Sequence, residues 1–341
     1  MNAPSNVPRG FPLNYQAFRD LLYLNEGLDA KGYSRFRNVS LQAGIEQKYV
    51  DHSLGAVFTD VNGDGRPDLY VANDLDPNLL YVNEPGGPLG FHFSEEGGQS
   101  RVADPNAGMG VAVRDYSGDG RPDIFVTNSR GQGHAAFQAT AGSVFTNVRS
   151  VFAPAVGPEA TGWGASWVDV SNDGRLDLVL ANGSIPVTNL KRDAAQIQVL
   201  ENVNGQFADG SPIVGLRRGP LVNGRGVAAA DYDNDGRMDI AVNSIGGRLI
   251  LLHNTGATGH WLEVSLAQFA PGALVTAKLP NGTRLVREVQ AGSSYLSSED
   301  PRVHFGLGQA TKVKELIIRW LGGKITRRQD VAADQIVTLA R

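Results

Sequence analysis

One nonapeptide pattern recurs four times: Asp60-Val-Asn-Gly-Asp-Gly-Arg-Pro-Asp68, Asp115-Tyr-Ser-Gly-Asp-Gly-Arg-Pro-Asp123, Asp169-Val-Ser-Asn-Asp-Gly-Arg-Leu-Asp177 and Asp231-Tyr-Asp-Asn-Asp-Gly-Arg-Met-Asp239. The copies begin at 60, 115, 169 and 231, a period of roughly 54 to 62 residues, which exceeds that of a helical solenoid and suits a multi-strand unit such as a propeller blade. Each is led by a Gly-rich apolar run (54–59, 110–114, 164–168, 226–230) and followed by a short β-branched or alternating run (69–73, 124–128, 178–182, 240–243). Such runs, bounded by turn residues, are strand signatures. A third run ending in Asn completes each unit at 80–83, 144–147, 199–202 and 250–254, and it appears once more at 22–25, followed by a fourth-strand candidate at 35–41. The chain therefore enters in mid-unit. Helical periodicity is confined to one candidate turn at 15–24, so the expected class is all-β.

Asp at positions 1, 5 and 9, an oxygen-bearing residue at 3 and Gly at 6 form the front of an oxygen-ligand calcium loop, in which alternate side chains point inward and position 7 offers its carbonyl. The expected ligands are Asp60, Asn62, Asp64, the Arg66 carbonyl and Asp68 in the first loop, and Asp115, Ser117, Asp119, Arg121 and Asp123 in the second. The third would use Asp169, Ser171, Asp173, Arg175 and Asp177, and the fourth Asp231, Asp233, Asp235, Arg237 and Asp239. An EF-hand would close with Glu at position 12, where this chain has Val71, Val126, Leu180 and Val242, so the loop reads instead as a calcium-stabilised turn between strands. Asp, Asn and Gly also dominate ordinary turns. Three like charges within nine residues repel one another unless a cation sits among them, and this pattern keeps all three in every copy. Position 3 is neutral in the first three loops and a carboxylate only at Asp233, so the fourth site should bind most tightly.

The four loops with their Gly-rich lead-ins and Asn-ending third strands resemble FG-GAP/VCBS repeats, the blades of integrin-like β-propellers, over about residues 20–256. Farther on, Gly292-Ser-Ser-Tyr-Leu-Ser-Ser-Glu-Asp-Pro-Arg-Val-His-Phe-Gly-Leu-Gly308 and residues 313–323 with Trp320 resemble the ASPIC/UnbV domain. Propeller then ASPIC/UnbV is the order of the cartilage-acidic-protein-like family. Two departures stand out: Leu321-Gly-Gly follows Trp320 where that family tends to have Pro and a small residue, and there are four loops plus a half unit where relatives usually have more blades. Either the ring is small or the chain is a fragment of a longer parent. The resemblance implies an N-terminal extension at 1–20, an FG-GAP/VCBS propeller at 21–256 and a small β-sandwich-like ASPIC/UnbV domain at 257–341, in an extracellular or cell-envelope setting. Seven strand candidates follow Gly259, and the polar stretch 295–308 is expected at the boundary with the propeller.

Among 341 residues there is no Cys, which excludes disulfides, Cys-ligated zinc, Fe–S clusters and thiol catalysis. Lys and Arg number 31 against 35 Asp and Glu, a net charge of -4 without a dense basic run, so a nucleic-acid partner is not expected. No apolar stretch is long enough for a membrane helix, and the N-terminus lacks the apolar core of a secretory signal. The pairs Gly108/Gly110, Gly162/Gly164 and Gly224/Gly226 precede strands, not helices, so they read as close-packed entries to inner strands and not as nucleotide loops. The six histidines form no ligand pair by spacing; His52 and His134, beside strand pairs, are the two worth testing. Trp163 and Trp167 read as filler between blades, with sugar stacking as the rival role.

The expected function is thus a calcium-dependent interaction module for a protein or glycan ligand. The alternative is a calcium-stabilised enzyme of carbohydrate processing or secondary-metabolite biosynthesis. No catalytic or organic-cofactor residues are assigned, because the carboxylates are committed to the loops.

Overall fold

The computed structural model describes residues 12–45, 50–157 and 159–341, so residues 1–11 of the expected N-terminal extension lie outside the described residues. Each repeat is an antiparallel sheet. The first runs Ser53–Thr59, Asp68–Asn73, Leu79–Pro85 and Phe91–Glu95; the second Gly108–Arg114, Asp123–Asn128, Ala135–Ala141 and Val144–Asn147. The third comprises Gly162–Val168, Asp177–Asn182, Gln198–Val203 and Gln206–Asp209, and the fourth has three strands, Gly224–Ala230, Asp239–Ser244 and Ile250–Leu252. The first strands of consecutive repeats lie side by side as an inner wall, and the repeats stack face to face around it.

Alternation along each strand decides the stacking, because successive side chains point to opposite faces of a sheet. In the first repeat Tyr70, Ala72, Leu80 and Val82 join Val111, Ile124 and Phe137 of the second. From the other face, Leu69, Val71 and Tyr81 meet Val39, Ala43 and Ile45, which follow the hairpin of Tyr23–Leu28 and Ser34–Asn38. Residues 22–41 thus form a two-stranded hairpin and the turn after it, packed on the free face of the first repeat. The second strands Asp68–Asn73, Asp123–Asn128 and Asp177–Asn182 have neighbours on both faces and are buried throughout.

Two sequence expectations fail here. In the second repeat 144–147 is the fourth strand and the third is Ala135–Ala141, whose small residues and lack of a terminal Asn hid it. The candidate helical turn at 15–24 runs instead into strand Tyr23–Leu28, while an unexpected helix, Arg149–Val156, places Phe152 against Phe207 at 4.3 Å between ring centres. Its internal Pro154 obscured it.

The C-terminal part forms two sheets over a core of its own that includes Leu262, Val275, Phe305, Leu316 and Trp320. One orders Val303–Gly308, His260–Leu266 and Gln335–Leu339; the other orders Arg284–Glu288, Leu274–Lys278, Lys312–Arg319 and Ile325–Ala332. Between strands Arg284–Glu288 and Val303–Gly308 the chain leaves this sandwich and lies along the inner wall of the propeller. Ser294 bridges Val111, its Oγ accepts from Ala165 N at 3.1 Å and Val227 N at 3.2 Å, and Asp300 N donates to Ala229 O at 3.3 Å. One segment therefore staples three repeats together. The polar stretch does lie at the propeller boundary, more deeply than its composition suggested.

Candidate metal centre

Each nonapeptide joins the first strand of a repeat to the second, so all four loops lie on one face of the propeller. The position-1 carboxylate folds back into its loop: Asp60 accepts from Gly63 N at 2.8 Å, Asp64 N at 3.0 Å and Gly65 N at 2.8 Å. Asp115, Asp169 and Asp231 do the same with position-6 N–H groups at 2.9, 2.7 and 2.7 Å. Position 6 has φ of 88°, 89°, 91° and 84° at Gly65, Gly120, Gly174 and Gly236, a left-handed conformation that only Gly adopts without strain.

Position 9 is clamped from two sides. Asp68 accepts from Val61 N at 2.9 Å and Asn83 N at 2.7 Å, Asp177 from Val170 N at 3.1 Å and Asn202 N at 2.8 Å, and Asp239 from Tyr232 N at 3.4 Å and Asn254 N at 2.7 Å. This is why the third strand ends in Asn: Asn83, Asn202 and Asn254 also donate from their amides to the carbonyls of Pro67, Leu176 and Met238. In the second repeat Ala139 N takes that place on Asp123 at 2.9 Å. Burial pushes Asp68, Asp123 and Asp177 up to about 7 and Asp169 up to about 6, with neighbouring aspartates adding to the shift. Each oxygen of Asp68, Asp123, Asp169 and Asp177 accepts a single backbone hydrogen bond and keeps a lone pair, so these groups remain able to ligate a hard cation, which would remove the cost of their burial.

The repeated Arg acts through its side chain as well as through position 7 of the backbone. Arg66, Arg175 and Arg237 donate from Nε to the carbonyls of Asn83, Asn202 and Asn254 at 2.8, 3.0 and 2.7 Å, while Arg121 reaches the Thr140 carbonyl. Each also pairs with the position-5 carboxylate: Asp64, Asp119, Asp173 or Asp235. At position 3, Asn62 accepts from Asp64 N at 3.0 Å, Ser117 lies 3.5 Å from Asp115 Oδ1, and Ser171 and Asp233 are exposed.

Among the described residues, acidic and histidine ligand atoms come within 4.8 Å of one another in threes only at the fourth loop. The two triads there, Asp231/Asp233/Asp235 and Asp233/Asp239/His253, share Asp233. His253 Nδ1 is 3.2 Å from Asp239 Oδ1 and 3.9 Å from Asp233 Oδ2. Sequence reasoning counted His253 among the scattered histidines; its signal was its place directly before Asn254, the residue that returns the third strand to position 9.

The C-terminal sandwich sits on this same face and adds cations to it. Arg319 approaches Asp60 at 3.4 Å, and Arg302 donates to the Asp231 carbonyl at 2.5 Å while pairing with Glu263 at 2.7 Å. Buried Arg287 donates to the Gly174 carbonyl at 3.3 Å and lies near enough to Asp115 and Asp169 to offset part of the upward shift that burial gives each. Trp261 covers Gly236, where an added Cβ would fall 1.9 Å from the indole.

His134, Trp163 and Trp167 are structural in this arrangement. His134 Nδ1 accepts from Asn128 N at 3.0 Å in full burial. Trp167 stacks on Tyr116 at 4.9 Å, and Trp163 lies under the Arg225 guanidinium at 3.8 Å, with both indoles 4% exposed and closed to a sugar.

The FG-GAP-like repeat model matches residues 60–126, 115–180 and 187–242, and the ASPIC and UnbV model matches 264–341. The chain belongs to the FG-GAP-like repeat family. Its propeller and C-terminal segment occur in the same order as expected from the motifs. Cartilage acidic protein 1 of Mus musculus is 27% identical over 318 residues, covering 90% of this chain and 47% of that protein. Its Homo sapiens counterpart is 26% identical over 309 residues, covering 88% and 45%. The chain thus spans about half the length of the curated relatives it matches. Among solved structures, "Structure of Dos1 propeller" aligns over 93% of this chain and 78% of that one at 10% identity, with a TM-score of 0.34, a likeness too weak to add to the fold described above.

Proposed function

We propose that this FG-GAP-repeat chain is a calcium-binding interaction module that works outside the cell or in the cell envelope and engages a protein or glycan ligand. The observation that carries the calcium reading is the convergence of Asp231, Asp233, Asp235, Asp239 and His253 at the fourth loop. There Asp231, Asp233, Asp235, the Arg237 carbonyl and Asp239 would hold the ion, with His253 beside them. The first three loops would hold theirs through Asp60, Asn62, Asp64 and Asp68, through Asp115, Ser117, Asp119 and Asp123, and through Asp169, Ser171, Asp173 and Asp177. Calcium supplies charge compensation and rigidity here. The repeat frame and the relatives named cartilage acidic protein support an interaction role, and the millimolar calcium of extracellular settings suits loops of roughly 0.1–1 mM affinity.

Thermal unfolding in millimolar calcium and in chelator tests this reading. A ligand that binds only the folded state at about 100 times Kd adds about 2.7 kcal/mol per site. A melting temperature that falls markedly in chelator is expected; coincident curves would count against calcium.

A further inference from the structure

At the opposite end of the first repeat from its metal loop, a cavity of about 310 Å³ opens between residues 12–20 and the start of strand Ser53–Thr59. Its wall carries Asp20, Asp51 and Asp74, and the exposed Phe18 belongs to the same lining. Asp76 stands behind His52, its Oδ2 accepting from His52 N at 3.0 Å and lying 2.8 Å from Nδ1, and this contact raises the histidine's affinity for a proton. Even with His52 protonated and Arg19 counted, the four carboxylates outnumber the cations.

Asp74 is the anomaly. It is 3% exposed, it lines the cavity, and no described residue donates a hydrogen bond to its carboxylate. Burial, followed by the nearby Asp76, pushes it up to about 6 against the pull of His52. Its carboxylate faces the cavity with no donor among the described residues, so a cationic group entering there would meet it directly. Among the described residues no three of these acidic and imidazole groups bring ligand atoms within 4.8 Å of one another, so a bare metal ion would not be gripped from several sides. Carboxylates set this far apart, in a lining that also holds the Phe18 ring, match a larger cation whose ammonium or guanidinium meets the acids while its stem lies on apolar surface.

We propose that this cavity binds a lysine or arginine side chain presented by a basic peptide segment of a partner protein, with Asp74 as the buried anchor. The site lies away from the face that the C-terminal sandwich covers, and it does not depend on the calcium reading.

A pentalysine peptide, titrated by calorimetry in millimolar calcium, tests it, with pentaglutamate as the negative probe. Asp74→Asn should weaken pentalysine binding tenfold or more and, because it removes an unsatisfied buried charge, raise the melting temperature. Asp330→Asn, an equal charge change on the exposed edge strand Ile325–Ala332, should change binding twofold or less. Equal losses from the two variants, no pentalysine binding by the unaltered chain, or loss of one calcium equivalent in Asp74→Asn would each overturn the proposal.

Discussion

Ser294 and Val111 exchange backbone hydrogen bonds, Val111 N to Ser294 O at 3.0 Å and Ser294 N to Val111 O at 2.6 Å, so the C-terminal segment adds itself to the inner wall of the second repeat. Around that pair, Arg114 Nη2 meets Glu299 at 3.0 Å, Ser166 Oγ donates to the same carboxylate at 2.5 Å, and Gln290 Nε2 donates to Val113 O at 2.6 Å. The repeats and the sandwich are joined by polar groups that would otherwise be buried without partners.

Ser294→Ala should therefore cost about 1–3 kcal/mol, since the Ala165 and Val227 N–H groups lose a buried acceptor. Urea unfolding measures it. A change below about 0.5 kcal/mol would mean that solvent already reaches this segment.

Gly110→Ala should be more damaging than most surface changes, because the new Cβ would fall 2.0 Å from the Trp163 carbonyl and 3.2 Å from the Ser294 carbonyl carbon. Backbone must move, so a loss of about 2–4 kcal/mol is expected by the same unfolding assay. Gly131→Ala, with open space around it, is the reference for backbone strain alone, because its φ is 84°.

The glycines show how far the sequence could be read. That Gly110, Gly164 and Gly226 mark crowded inner strands was legible from their position before strands; that Ser294 and Ser297 help create the crowding was not, since a contact across more than 60 residues leaves no local pattern. The metal loops were legible because ligation and turn chemistry act within nine residues. His253 and the Arg319, Arg287 and Arg302 contributions were hidden because they arrive from the third strand or the sandwich. The third strand of the second repeat was missed because Ala139 serves with a backbone N–H where the other repeats use an Asn.

His134 predicts a pH effect of definite sign. Burial lowers its pKa to about 4, below the roughly 6.5 of an unfolded histidine, so the unfolded chain binds more protons between those values. The stability it provides is complete above pH 6.5 and falls as the pH drops towards 4. His134→Gln should thus destabilise the fold most at pH 7.5, with the difference from the parent shrinking by up to about 3 kcal/mol on the way to pH 4. A difference that stays constant with pH would show that the imidazole titrates normally in the fold.

Residues 257–341 expressed alone should unfold cooperatively and without calcium dependence, because every member of their apolar core lies between Leu262 and Leu339. Circular dichroism during heating decides it; an unfolded fragment would assign the segment to the propeller core.

Asp235→Ala should remove one calcium equivalent and cost more stability than Ser117→Ala, since one deletes a carboxylate ligand and the other a neutral oxygen. Paired calorimetric titrations check this, and equal effects would count against the ligand assignment.

The repeated aspartates are expected to hold calcium, with Asp233 making the fourth loop the strongest site. Calorimetric calcium titration of the chelator-stripped chain beside Asp233→Ser, which gives the fourth loop the position-3 residue of the second and third, tests it most directly. The parent should bind calcium in a tighter and a weaker phase, and Asp233→Ser should lose the tighter one; identical isotherms, or no binding by either, would mean that Asp233 sets no stronger site or that the loops are turns without an ion.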